Sequence, residues 1–160
     1  MASALPSVWR TLSAERSVER GARILVGTDF SEGAALALEA ARGLAPKLGA
    51  TIEVVHVVER YGDADWRSDG PALEWLERQN IDPDALIVRS GFPWVELVRH
   101  ANDCAPIMIA VGSHGSSGFQ PLALGSTAGR MGVLSPYPVL VVAGSAAGRR
   151  SARATVGWPS

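Results

Sequence analysis

The sequence predicts an α/β domain in which a five-stranded parallel sheet is doubly wound, with helices on both faces in three layers. Three observations predict it. Short aliphatic runs alternate with longer stretches whose apolar residues recur at helical spacing. The runs are continuous, as in Ile24-Leu-Val and Ile107-Met-Ile-Ala-Val, which suits strands covered on both faces. The chain has 160 residues, 47% hydrophobic and 19% charged, enough for one compact domain with tails to spare. Its net charge of −1 provides no basic surface for nucleic acid.

Residues 1–20 read as an N-terminal tail, because Arg10, Glu15, Arg16, Glu19 and Arg20 leave no apolar core long enough for a secretory signal. Leu5, Val8, Trp9 and Leu12 could form one amphipathic turn that docks on the body or a partner; an unattached tail is the alternative. The domain is expected over 21–144. No stretch has the length and apolarity of a membrane span, and a cytoplasmic location is expected. Cys104, the only cysteine, excludes an internal disulfide and is expected to be a buried structural thiol.

Strand β1 is expected over Arg23–Thr28, followed by Ser31 as the N-cap of an alanine-rich helix from Glu32 to about Leu48. That helix should turn Ala34, Leu38, Ala41, Ala45 and Leu48 inward, with Gly43 and Pro46 weakening its last turns. Strand β2 is expected over Thr51–Val58, where His56 reads as a hydrogen-bonded packing residue. Residues 59–70 read as a loop; its aspartates lack the glutamate and spacing of a calcium loop. Pro71 can open a short helix to about Gln79, with Leu73 and Leu76 inward and Trp75 left open. Strand β3 is expected over Ala85–Arg89, then a helix through Trp94, Leu97, Val98 and Ala101 that ends near Asn102 to Pro106. Strand β4 spans Ile107–Val111 and β5 Pro138–Ala143, with the last helix opening at Gly125. Residues 145–160 carry Arg149, Arg150 and Arg153 among small residues and read as a flexible C-terminal tail.

Between β4 and the last helix lies Gly112-Ser-His-Gly-Ser-Ser-Gly-Phe-Gln-Pro-Leu-Ala-Leu-Gly125-Ser-Thr. Gly112, Gly115 and Gly125 permit close approach of a ligand to inward-turned backbone N–H groups, and Ser126 reads as the N-cap of the helix that follows. A helix start with free N–H groups favours phosphate. Ligands of doubly wound sheets bind at the carboxyl ends of strands where the winding reverses, which would bring Asp29, after β1, beside this loop.

The spacing Gly112-x-x-Gly115, nine residues, then Gly125-Ser126, together with Ile24-Leu-Val-Gly-Thr-Asp-Phe-Ser31, resembles the ATP-binding branch of the universal stress protein (UspA-like) family over about Ala22 to Ala143. The resemblance implies strand order 3-2-1-4-5 in an adenine nucleotide alpha hydrolase-like fold. It implies ATP, with magnesium, as ligand. It assigns Gly112, Gly115, Gly125, Ser126 and Thr127 to the ribose and phosphates, places Asp29 beside the nucleoside and the backbone of Val57 at the adenine edge, and adds Thr28, Val111 and His114 as further candidates for the nucleotide site. It also implies a homodimer through the last strand, Val139, Leu140, Val141 and Val142, an apolar edge suited to pairing.

The sequence departs from the family pattern in three places. No lysine or arginine lies between Gly112 and Gly125, Gly129 and Gly132 loosen the last helix, and the stretch from Glu59 to Asp84 is short. Arg130 is the nearest cation. No Walker A, H-E-x-x-H or C-x-x-C pattern is present, so no dedicated catalyst is assigned and slow ATP hydrolysis is the most the resemblance implies. His114 is expected to brace the loop rather than to transfer protons. The functional expectation is a nucleotide-responsive regulatory module in the stress response. A nucleotide-free dimer of the same fold, serving as a protein-interaction module, is the alternative.

Overall fold

The computed structural model describes residues 21–59, 65–114, 124–144 and 153–157. Its elements are β1 (Ala22–Thr28), α1 (Glu32–Leu48), β2 (Ala50–Val58), α2 (Gly70–Arg78), β3 (Ile87–Ser90), α3 (Pro93–Cys104), β4 (Met108–Gly112), α4 (Ser126–Leu134), β5 (Val139–Ala143) and β6 (Arg153–Gly157). Five parallel strands run in the order 3-2-1-4-5, as expected, and β6 adds a sixth, antiparallel to β5.

The continuous apolar runs arise because successive side chains leave opposite faces of the sheet, and both faces are covered. Ile24, Val26, Ala110, Leu140 and Val142 enter the layer beneath α1 and α2 with Ala37, Leu38, Trp75 and Leu76. Leu25, Val55, Val57, Ile109, Val111 and Val139 enter the opposite layer with Leu97, Ala101, Ala128 and Met131.

Helix α1 follows the expected span, with Ser31 Oγ accepting from the Ala34 amide and Gly49 closing it at φ 59°. Pro46 is tolerated inside the last turn, where Arg42, Gly43 and Lys47 are exposed as well. Leu48 does not turn inward; it is the last residue of the helix and is 45% exposed. In α2 the buried face is Ala72, Trp75 and Leu76, and Leu73 is exposed at its edge. Trp75 is held inside because its Nε1–H donates to the Ser31 carbonyl at 3.0 Å.

Strand β3 starts later than expected, because Pro83–Ala85 forms a 3-10 turn capped by the Asp82 carboxylate, which accepts from the Asp84 amide. Ser126 is the first residue of α4, and Gly125 occupies the N-cap without a side-chain bond, so Ser126 is not the cap its hydroxyl suggested. Part of the segment read as a flexible tail is a strand, and the apolar edge of β5 read as uncovered is paired with it. Residues 1–20, including the proposed turn around Trp9, lie outside the described residues. No helix among those described is long and apolar enough to cross a membrane.

Candidate functional site

A pocket of about 420 Å³ opens at the carboxyl ends of β1, β2 and β4, within the range of small-molecule sites. Its apolar floor is Val55, Val57, Leu97, Val111 and Ala128, and its polar wall comprises Thr28, Asp29, Ser31, Glu59, His114, Ser126 and Thr127. It lies where the winding reverses, because β1 pairs with β2 on one side and with β4 on the other.

The β1–α1 turn is held by its own polar groups. Thr28 is buried, and its Oγ1 accepts from the Phe30 amide at 3.0 Å. Asp29 Oδ1 accepts from the Ser31 amide at 3.1 Å. Phe30 adopts φ 63°, uncommon for a bulky residue, and packs against His56, Trp66 and Trp75 at centroid distances of 4.4, 6.2 and 5.7 Å. These aromatic contacts hold the left-handed conformation that sends Asp29 toward the pocket and Phe30 away from it.

Val57 lies one residue beyond the end of the β1–β2 register, which closes at Thr28 and His56. His56 donates its Nδ1–H to the Thr28 carbonyl at 2.9 Å; a carbonyl only accepts, so the tautomer is set. Burial pushes the His56 pKa below its ordinary value, against the opposing pull of the Thr28 carbonyl and the Asp29 charge.

The far wall begins at Gly112. A Cβ there would lie 2.5 Å from the Gly33 carbonyl carbon, and one on Gly33 would lie 2.4 Å from the His114 carbonyl oxygen. Both glycines are therefore required by the close packing of β4 and its following turn on α1. Ser113 ties this turn to its neighbours, donating its amide to Val142 and accepting from the Gly125 amide at 2.6 Å. His114 Nδ1 lies 2.9 Å from Ser113 Oγ, in keeping with a bracing role. At the start of α4, Gly129 is the donor to the Gly125 carbonyl, so helical geometry gives the amides of Ser126, Thr127 and Ala128 no partner within the helix. Ser126 and Thr127 line the pocket at that end.

Of the predicted residues, Thr28, Asp29, Val57, Val111, Gly112, His114, Gly125, Ser126 and Thr127 meet in this pocket. Gly115 lies outside the described residues. Sequence reasoning missed Glu59, Ser31, Pro93 and Leu97; only Glu59, one residue past a strand end in the position class of Asp29, carried a signal. Among the described residues the lining includes two carboxylates and no lysine or arginine. Arg130 lies against Trp94, its guanidinium carbon 5.8 Å from the ring centroid.

A second group of polar residues lies outside the pocket, between β1, β2 and α3. Glu53, His100 and Cys104 place potential metal-ligand atoms within 4.8 Å of one another. Arg23 pairs with Glu53 at 3.0 Å, His100 Nε2 bonds the same carboxylate, and Arg89 lies 3.3 Å from His100 Nδ1. The Glu53 carboxylate is thus already paired by Arg23, while Arg89 pairs with Glu96 and Asp103, and the group reads as an ion-paired closure of the layer. Burial and the Glu53 charge raise the Cys104 thiol pKa, consistent with an inert structural thiol. Alongside, burial raises the Glu96 pKa, but hydrogen bonds from Arg89 and Arg99 outweigh it and hold the carboxyl below its ordinary range.

Comparison with known proteins agrees with this geometry. The chain is 28% identical to universal stress protein YxiE of Bacillus subtilis, with 75% of this chain aligned to 97% of that protein. Among solved structures it is similar to hypothetical protein MJ0577, whose biochemical function was assigned from structure (TM-score 0.61, 24% identity, 79% of this chain and 98% of that one). It is also similar to a universal stress protein in complex with cAMP (TM-score 0.54, 20% identity, 76% of this chain and 96% of that one). These neighbours have the adenine nucleotide alpha hydrolase-like fold, and the five parallel strands described above share it. Residues 22–143, which carry the whole parallel sheet and every wall of the pocket, match the universal stress protein family, and the chain belongs to it.

Proposed function

We propose that this protein is an ATP-binding regulatory module of the stress response, acting in the cytoplasm by changing its contacts when nucleotide binds. One observation carries the reading: the β1–α1 turn, the end of β2 and the start of α4 converge on a single pocket of nucleotide size. A relative of the same fold is known in complex with cAMP, an adenine nucleotide.

In this reading the phosphates lie against the amides and hydroxyls of Ser126 and Thr127, where the helix dipole favours negative charge. Asp29 accepts hydrogen bonds from the nucleoside, and the adenine rests near Val57 over the apolar floor. Because Asp29 and Glu59 are the charged groups on the described lining, a triphosphate requires a divalent cation to offset its charge. Oxygen-rich ligands of this kind suit magnesium, which would also contact the phosphates. His114 is engaged with Ser113, and no residue is assigned as a catalyst.

The test is calorimetric titration of ATP with magnesium, then the same titration in a chelator. Micromolar binding, about −8 kcal/mol, that weakens at least tenfold without magnesium is the expected result. Ser126→Asp places a carboxylate in the first turn of α4, where it suits the dipole and preserves the fold. It should abolish ATP binding; wild-type affinity in this variant would remove the phosphate assignment. The acidic lining and the engagement of Arg130 with Trp94 favour a second reading, a nucleotide-free interaction module, which predicts no binding heat under either condition.

A further inference from the structure

We infer that residues 153–157 form an intramolecular cap on β5 that prevents this edge from pairing with β5 of a second copy of the chain. Strand β5 is the last parallel strand of the sheet, and its five residues, Val139–Ala143, are aliphatic. An aliphatic edge with an unpaired row of N–H and C=O groups recruits another strand. Here that row is occupied by the chain itself, with Val139 opposite Gly157, Val141 opposite Thr155 and Ala143 opposite Arg153.

The direction of β6 identifies what it displaces. Two copies related by a two-fold axis pair identical edge strands antiparallel, because the operator reverses the strand. β6 also runs antiparallel to β5 in a sheet whose other strands are all parallel, so it uses the backbone groups that a two-fold partner would use. The cap and the dimer exclude each other. The end of the cap abuts α4 as well: a Cβ on Gly157 would be 3.9 Å from the Gly132 carbonyl oxygen, so a second copy meets an obstruction beyond β5.

The competition favours the cap while it is tethered. Only residues 144–152 separate β5 from β6 in the sequence, and a connection of that length holds its end at an effective concentration of about a millimolar. A second copy at micromolar concentration then competes at a disadvantage of roughly a thousandfold for equal strand affinity. Removing the cap frees an edge whose inner residues, Val139, Leu140 and Val142, remain anchored in the core.

Sedimentation equilibrium of the nucleotide-free protein tests this, so its outcome is separate from ATP binding. The full chain should be monomeric across micromolar concentrations, and a chain ending at Gly144 should dimerise at least tenfold more tightly. Because truncation could impair folding, the full-length double variant Thr155→Pro, Val156→Pro serves as a second measurement. One of two consecutive residues must direct its N–H at β5, so the pair disables the cap and leaves β5 intact. It should dimerise as the truncated chain does. Hydrogen exchange should show the β5 amides protected in those dimers. A truncated chain and a double variant that both remain monomeric overturn the inference. So does a full chain that dimerises as tightly as the truncated one, a dimer lost on truncation because the strand is exchanged between copies, or a dimer in which the β5 amides exchange freely.

Discussion

Gly33 in α1 and Gly112 in β4 share one role, and Gly129 in α4 has another. At Gly112 and Gly33 an added Cβ meets backbone at 2.5 and 2.4 Å, whereas at Gly129 the nearest atom is Leu124 Cβ at 3.9 Å. Gly112→Ala and Gly33→Ala should therefore each destabilise the fold by about 1–3 kcal/mol, and Gly129→Ala should stabilise it by about 0.5–1 kcal/mol. Urea midpoints of the three variants decide this; equal midpoints would mean that β4 and α1 do not pack as described. His56 makes a second residue-scale prediction. Its pKa is lowered in the folded protein, so below the ordinary histidine value of 6.5 the unfolded chain takes up a proton that the native state does not. Stability should fall as pH drops from about 6.5 through the folded-state pKa, with a slope of at most about 1.4 kcal/mol per unit. His56→Asn keeps a donor for the Thr28 carbonyl and should lose that slope. The Glu96 contribution has a different window, since it is present above the ordinary carboxylate pKa and is lost on further acidification through its lowered value.

At the scale of elements, α2 positions the site although it contributes no lining residue. Trp75 is 1% exposed, donates to the Ser31 carbonyl and packs on Phe30, so the helix clamps the turn that carries Asp29. Trp75→Phe keeps an aromatic side chain but removes the donor and part of the buried ring volume, which should cost about 2–4 kcal/mol. The same variant should speed exchange of the Phe30 and Ser31 amides relative to the core strands; unchanged exchange there would separate the clamp from the turn. The sequence left Trp75 open for a physical reason. On a nine-residue helix, Leu73 and Trp75 point to different sides, and the choice between them rests on an acceptor contributed by another element. Helix α4 is a similar case. Ser126 after glycine reads as a cap, but Gly125 closes on Ser113 through its own amide and takes the N-cap position, so the helix starts one residue earlier, at Ser126.

For the molecule as a whole, one sheet separates two apolar layers, and the pocket wall draws on both the central strands and α4. Ligand binding should therefore stabilise the entire fold. At a hundredfold excess over its dissociation constant, ATP with magnesium should add about 2.7 kcal/mol to the unfolding free energy. Ser126→Asp should remove that increment without lowering the ligand-free stability; a retained increment would place the nucleotide elsewhere. Far-UV circular dichroism and tryptophan fluorescence should report one shared transition, since Trp66 and Trp75 belong to the core layer beneath α1.

The sequence by itself determined the order of strands and helices, the membership of the family and nine of the residues that meet in the pocket. The element order was legible because continuous apolar runs, helical spacing and turn residues are local signals, whereas the family and its site residues came from the resemblance carried by the glycine spacing and the β1 turn. Tertiary structure decided what depends on distance between elements. Gly112 and Gly33 serve backbone packing, a role that selects glycine as strictly as ligand approach does, so the spacing alone does not distinguish the two. Glu59 joined the site only because β2 ends beside β1. Residues 153–157 carry little apolar content and read as tail, and they became a strand because β5 offers an edge of backbone groups whose hydrogen bonds are indifferent to side chain.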